Sequence, residues 1–380
     1  MAFLANKTVN RLNLHYACFA LASSGGGVFF GVFLLNAGVA LPAVLTAYAL
    51  INLLRVSLLP VILATGKRVG LRPLVVFGTL ALGVQYPILA QVHSIGWALL
   101  ILCVVTAVGE EFYTSAFHAY FAHVGDPEHR GQQTSLSAAL YAVVGIVGPI
   151  AGAWALMRFG PPAAFGAVAA VQALSVLPLL GAPNVRVEPV VPHTIGAGRQ
   201  GFLLFVADGW VRTGVFVVWQ IALFVVLRQN FTAYGGALAF ASLAAAVTGL
   251  LLGRHIDTGR GTAAVWLAFI VVAACIVLRA TAATPWLAVV ATTAGAMFGC
   301  IYVPTLMTAV YNLAKASPCP FRFQLGAQAG WHLGRGVGCA ISAALAAIGV
   351  SLQAITLLSL VGAVAVLFLL RRYYAGVARA

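Results

Sequence analysis

Apolar stretches long enough to cross a ~30 Å hydrocarbon core recur from one end of the chain to the other, and they leave the backbone little choice. Inside a bilayer every N–H and C=O must find its partner within the protein, so runs of this length read as helices. Twelve of them fall near 14–36, 38–65, 71–92, 96–124, 132–157, 162–182, 201–228, 232–253, 262–281, 284–315, 320–348 and 350–371. The expected fold class is an all-α integral membrane protein of twelve transmembrane helices. Hydrophobic residues make up 62% of the 380 and charged ones only 7%, which excludes a soluble domain.

A net charge of +14 would suit a nucleic-acid partner, but the placement of the charge gives it another origin. Fifteen of the 21 lysines and arginines fall in the termini or in alternate loops, and three (Arg158, Arg228 and Arg279) fall on the opposite side. That is the positive-inside pattern. It places both termini in the cytoplasm, with basic side chains against anionic lipid headgroups and no role for nucleic acid. No cleavable signal precedes the first span, and an Arg-, Ala- and Gly-rich composition points to a bacterial inner (cytoplasmic) membrane. No Walker loop, zinc-like His/Cys spacing or Ser/His/Asp arrangement is present, so neither an enzyme, a metal site nor a cofactor is expected.

The remaining three arginines lie inside spans, where they face three carboxylates: Arg55, Arg212 and Arg335 against Glu110, Glu111 and Asp208. Each costs about 2.5 to 3.5 kcal/mol at mid-bilayer, so all six need protein partners or a watery cavity. The fourth stretch reads AVGEEFYTSAFHAYFAHVG. At 100° per residue Glu111, Thr114, Ser115 and His118 share one face, while Glu110, Tyr113, Phe117 and Tyr120 form an adjacent aromatic one. Glu111 is the carboxyl expected to face a cavity and load and release a proton, with His118 placed to relay it and Glu110 beside it. Equally, one or both glutamates could neutralise Arg55, and His118 could be a packing histidine. In the seventh stretch Asp208 and Arg212 stand at i, i+4, with Trp219 expected on the same face; they are either a self-neutralising pair or part of a binding site.

The eleventh stretch, FQLGAQAGWHLGRGVGC, is the most ordered pattern. Gln328, Trp331 and Arg335 share one face, and Gly326, Gly330, Gly334 and Gly338 form a ridge on another. The ridge reads as a packing surface. The polar face is then free to hold an anionic or aromatic solute through Arg335 and Trp331, or else Arg335 pairs with Asp208 or another carboxylate. Tyr302, in the tenth stretch, would extend the same polar lining.

Leu180 to Gln200 is the longest polar interruption and falls at mid-chain. It divides the chain into an N-terminal bundle (1–182), a cytoplasmic linker (183–200) and a C-terminal bundle (201–380). Two echoes support duplication: Gly27-Val28-Phe29 recurs as Gly214-Val215-Phe216, and Arg130-x-Gln132 as Arg322-x-Gln324. The loops after the second and eighth stretches read GKRVGLRP and GRHIDTGRG. Here the chain resembles the major facilitator superfamily, whose corresponding loops carry a G-x-x-x-D-R-x-G-R-R type motif. The resemblance implies two pseudo-symmetric six-helix bundles and a cytoplasmic latch drawing on Asp257 and Arg260 in the second loop and Arg68 and Gly70 in the first. Lys67 stands where the family has an acid. In the fifth stretch Gly145, Gly148, Pro149 and Gly152 resemble the family's antiporter motif, with Ala153 for its last glycine.

Together these readings give a monomeric secondary active transporter whose partners are a small solute, protons and membrane lipids. Arg335, Arg212, Trp331, Gln328, Arg55, Tyr113, Trp219 and Tyr302 are expected to bind an anionic or amphiphilic organic solute. Glu111, Glu110, His118 and Asp208 would carry protons; Asp257, Arg260, Arg68, Gly70, Gly148 and Pro149 would gate. Efflux by proton antiport is preferred, with uptake of an organic anion by proton symport as the alternative. A non-transporting assembly or signalling factor on the same scaffold is the alternative of another class.

Overall fold

The computed structural model describes residues 7–124, 130–186, 195–252, 261–317 and 320–377. Among them all regular structure is helical: α1 (Lys7–Gly25), a 3-10 turn (Gly27–Phe29), α2 (Phe30–Asn36), α3 (Leu41–Val69), α4 (Leu71–Leu89), α5 (Trp97–Val124), α6 (Arg130–Leu174), α7 (Leu177–Leu180), α8 (Ile195–Arg212), a π segment (Thr213–Val218), α9 (Trp219–Val226), α10 (Phe231–Leu252), α11 (Gly261–Ala280), α12 (Pro285–Ala316), α13 (Pro320–Ala347), α14 (Leu352–Thr356) and α15 (Ser359–Val377).

Nine helical segments among the described residues are long and apolar enough to cross a membrane. One of them, Ala142–Leu180, continues from the fifth predicted stretch into the sixth. Gly160, at φ 78 and ψ 167, turns the chain there, and Pro161 and Pro162 follow. Only glycine adopts that backbone without strain, so the helix is two spans joined at a corner. The outer surface is what lipid requires: Leu250 is 79% and Phe368 63% exposed, a pattern water would not tolerate. Trp97 and Trp286, at 79% and 76%, lie at the starts of α5 and α12, where indoles anchor at the membrane interface.

The chain forms two compact units: Met1–Val39, Ser57–Val190 and Phe231–Ala239 in the first, and Ala40–Val56, Val191–Asn230 and Phe240–Ala380 in the second. In lipid there is no hydrophobic drive between helices, so close backbone approach at small residues takes its place. In the first unit a Cβ on Gly148 would lie 2.6 Å from Ser24 Cβ, so α6 presses on α1, and a Cβ on Gly109 would lie 2.8 Å from the Leu82 amide nitrogen, so α5 presses on α4. In the second unit the expected glycine ridge packs on α8. A Cβ on Gly334 would lie 2.8 Å from the Val206 carbonyl carbon, and one on Gly338 2.7 Å from Thr213 Oγ1. Gly326, at the start of the ridge, has no such neighbour within 4 Å.

Candidate functional site

The α8–α13 seam brings charge together. Gly209 on α8 leaves no room for a side chain: a Cβ there would stand 3.0 Å from the Arg335 amide nitrogen. With the backbones this close, the flanking side chains meet. Asp208, 3% exposed, accepts hydrogen bonds from three helices: Tyr302 Oη at 2.8 Å from α12, Trp331 Nε1 at 3.1 Å from α13 and Arg212 Nε at 3.3 Å from its own α8. The last is an i, i+4 ion pair, so the expected pairing of Asp208 and Arg212 is made.

Arg335 completes the cluster differently. Its guanidinium lies 4.9 Å from the centre of the Trp331 ring, a cation–π distance, and its Nε is buried without a hydrogen-bond partner. Among the described residues Arg335 makes no ion pair; the carboxylate it was offered, Asp208, is taken by Arg212. Two arginines therefore flank one carboxylate, and only one of them is neutralised. Gln328, 7% exposed, lies one turn before Trp331.

Trp219 does not join this site. In an unbroken α-helix it would come round within about 20° of Asp208. The π segment intervenes: the Trp219 N–H bonds to the Gly214 carbonyl, five residues back, and the wider turn rotates the ring away. Trp219 is wholly buried, donates from Nε1 to Thr292 Oγ1 at 3.0 Å and carries Arg279 over its face at 5.4 Å. The expectation of a shared face is corrected on that ground. Arg279 is a second correction. Placed in an outer loop by its position, it is 5% exposed in the last turn of α11 and donates from Nη1 to the Val215 carbonyl at 3.0 Å.

In the first unit Glu111 is fully buried and accepts from Ser115 Oγ at 2.6 Å, so its carboxylate presents no surface to a cavity in this conformation. Glu110 is half-buried and the His118 side chain is exposed. Tyr113 lies in an aromatic stack, 3.7 Å from Phe19 and 5.2 Å from Phe117 between ring centres, with its hydroxyl buried and unpartnered. His15, which its place in an apolar run gave no reason to single out, packs on the same stack and meets the Ser175 carbonyl through Nδ1 at 2.7 Å. Arg55, 5% exposed, is in the part of α3 that belongs to the second unit.

Of the gating residues, Gly70 has φ 88 and is crowded by the Asn184 side chain, whose Nδ2 donates to the Val69 carbonyl at 2.7 Å. Arg72 Nη1 donates to the Ala182 carbonyl at 2.8 Å, so this loop is tied to the end of the sixth stretch. Arg68 is exposed. Gly148 and Pro149 lie in the α6 face described above, where the Pro149 carbonyl abuts Gly235. Asp257 and Arg260 lie outside the described residues.

A family model described as Major Facilitator Superfamily matches residues 12–319. No curated protein sequence matches the chain. Among solved structures, the human organic anion transporter MFSD10 (TETRAN) superposes with a TM-score of 0.69 at 16% identity, over 96% of this chain and 99% of that one. A POT family transporter in complex with 5-aminolevulinic acid superposes with a TM-score of 0.72 at 10% identity, over 96% of this chain and 95% of that one. At those identities the likeness establishes the fold.

Proposed function

The chain belongs to the Major Facilitator Superfamily and is a multi-pass membrane transporter; from that premise we propose that it moves a small organic anion, or an anionic amphiphile, by alternating access across the cytoplasmic membrane. Two six-helix bundles, 1–182 and 201–380, would rock about the site, with both termini and the 183–200 linker inside. The observation that carries the substrate class is Arg335. A guanidinium held against Trp331, with a bare buried Nε and no carboxylate of its own, suits a planar oxyanion on an apolar or aromatic body.

Efflux in exchange for protons is the preferred direction, supported by the close contact of Gly148 with Ser24 in the helix that resembles the antiporter motif. Glu111 is proposed as the proton carrier, with Glu110, His118 and Asp208 as further stations. A second reading rests on the Asp208–Arg212 pair. Protonating Asp208 releases Arg212 and adds positive charge beside Arg335, so a proton and an anion would bind together, as symport requires.

Proteoliposomes with a pH-sensitive dye inside separate the two. Alkalinisation of the lumen as an organic anion enters marks antiport, acidification marks symport, and no proton movement across aliphatic and aromatic carboxylates would remove proton coupling. Glu111→Gln should abolish gradient-driven accumulation while leaving solute exchange measurable. Wild-type pH dependence in that variant would exclude Glu111 as carrier.

A further inference from the structure

Beside Arg212 a chamber of about 60 Å³ opens between α8 with its π segment, α11 and α12. Its walls are mainly apolar, Val272 and Phe298 among them, yet two arginines, Arg212 and Arg279, line it together with Tyr302. Among the described residues no carboxylate lines it. Arg279 is 5% exposed, spends Nη1 on the Val215 carbonyl, and has an Nε that is buried without a partner. A guanidinium in such a place, with no acid of its own, is costly unless something else supplies the negative charge. The chain also keeps space for it: at Gly295 a Cβ would run into the Arg279 guanidinium. Arg212 meets Asp208 through Nε.

We propose that this chamber is an oxyanion subsite that receives the compact head of the solute, a carboxylate on a slender aliphatic neck, between Arg279 and Arg212. Its volume, well below the about 150 Å³ of a cavity that takes benzene, suits a carboxylate on a short aliphatic neck. The apolar walls choose an organic head over a free inorganic anion, whose remaining oxygens would face Val272 and Phe298 unsolvated. The inference rests on the organic-anion reading and deepens it, since it fixes the shape of one end of the solute and adds a contact independent of Arg335.

The probe is propionate, tested for thermal stabilisation of the purified full-length protein, with propionamide as its neutral isostere and sodium chloride at equal ionic strength. Each variant is read against its own ligand-free midpoint. Propionate should stabilise the wild type and the two controls should not. Arg279→Met should weaken the apparent affinity at least tenfold, and Val272→Phe, which fills the chamber and removes no arginine, should do the same. If Arg279→Met does not fold, Val272→Phe decides. Undiminished stabilisation in Val272→Phe, or none in the wild type, overturns the subsite. Loss in Arg335→Met alone overturns it too, while leaving the organic-anion reading intact.

Discussion

Gly27-Val28-Phe29 and Gly214-Val215-Phe216 are one tripeptide met twice, 187 residues apart, and in each case it interrupts a membrane helix. In the first the backbone tightens into a 3-10 turn, with the Phe29 N–H bonded to the Gly26 carbonyl at 3.0 Å. In the second it loosens into a π segment, and the Trp219 N–H passes over the Val215 carbonyl that an α-helix would have used. Both valine carbonyls are met by a side chain from another helix: Tyr234 Oη donates to Val28 at 3.1 Å and Arg279 Nη1 to Val215 at 3.0 Å. A neutral phenol serves one and a guanidinium the other. At the same offset, Asp208 and Arg212 answer to Leu21 and Gly25. The tripeptide marks a weak point in a helix, and the surroundings decide which way it yields; the widened copy has a guanidinium bonded to its valine carbonyl and an ion pair in the helix just before it.

The largest effect is expected where the copies differ most. Asp208→Asn leaves Arg212 without its partner, and because Arg212 is 24% exposed the cost should fall at the lower end for a broken buried pair, about 3 kcal/mol. Chemical unfolding of the detergent-purified protein measures it. Asp208→Asn with Arg212→Gln should regain most of that stability without regaining concentrative transport. A double variant that transports like wild type would make the pair a structural device, and the widened copy no more functional than the tightened one.

Next comes Arg335. Lysine keeps the charge but loses the planar fork over Trp331, so a bidentate oxyanion should bind about tenfold more weakly in Arg335→Lys, some 1 to 2 kcal/mol. Titration calorimetry with whichever carboxylate the wild type transports provides the value. Equal affinity would remove Arg335 from the site and shift the weight of binding toward the π segment.

The membrane fold was legible because length and apolarity are properties of contiguous residues, and bilayer thickness converts them directly into helices. The Gly330, Gly334 and Gly338 seam was legible for a similar reason, since an i+4 ridge exists in one helix before any partner is known. Asp208, Arg212, Trp331 and Arg335 could be placed on helix faces from spacing alone, and the structure joins them with Tyr302. What spacing could not show was a change of helical period. Trp219 was misplaced because Thr213–Val218 winds as π, and the Val215 carbonyl within it is met by an arginine distant in sequence. Arg279 sits in the last turn of its helix, where a count of loop charges and a reading of buried charges give opposite answers. Periodicity also put Tyr113 on an aromatic face without telling whether that face meets solute or Phe19 and Phe117.

The smallest effect tests the comparison at its root, the two carbonyl donors. Arg279→Met removes a charged hydrogen bond of about 1.5 to 3 kcal/mol and a cation–π contact of about 1 kcal/mol, while relieving the burial of an unpaired guanidinium. The net loss should be about 1.5 kcal/mol. Tyr234→Phe removes the neutral hydroxyl bond to Val28 inside a membrane bundle, where such bonds average about 0.6 kcal/mol. Unfolding midpoints of the two variants, taken side by side with the wild type, give the ratio. If Tyr234→Phe costs as much as Arg279→Met, the guanidinium contributes nothing that a phenol would not, and the π segment is held open by its packing. If Arg279→Met costs more, as expected, the widened copy is held by a cation that lines a chamber, and a ligand there would act on the helix interruption itself.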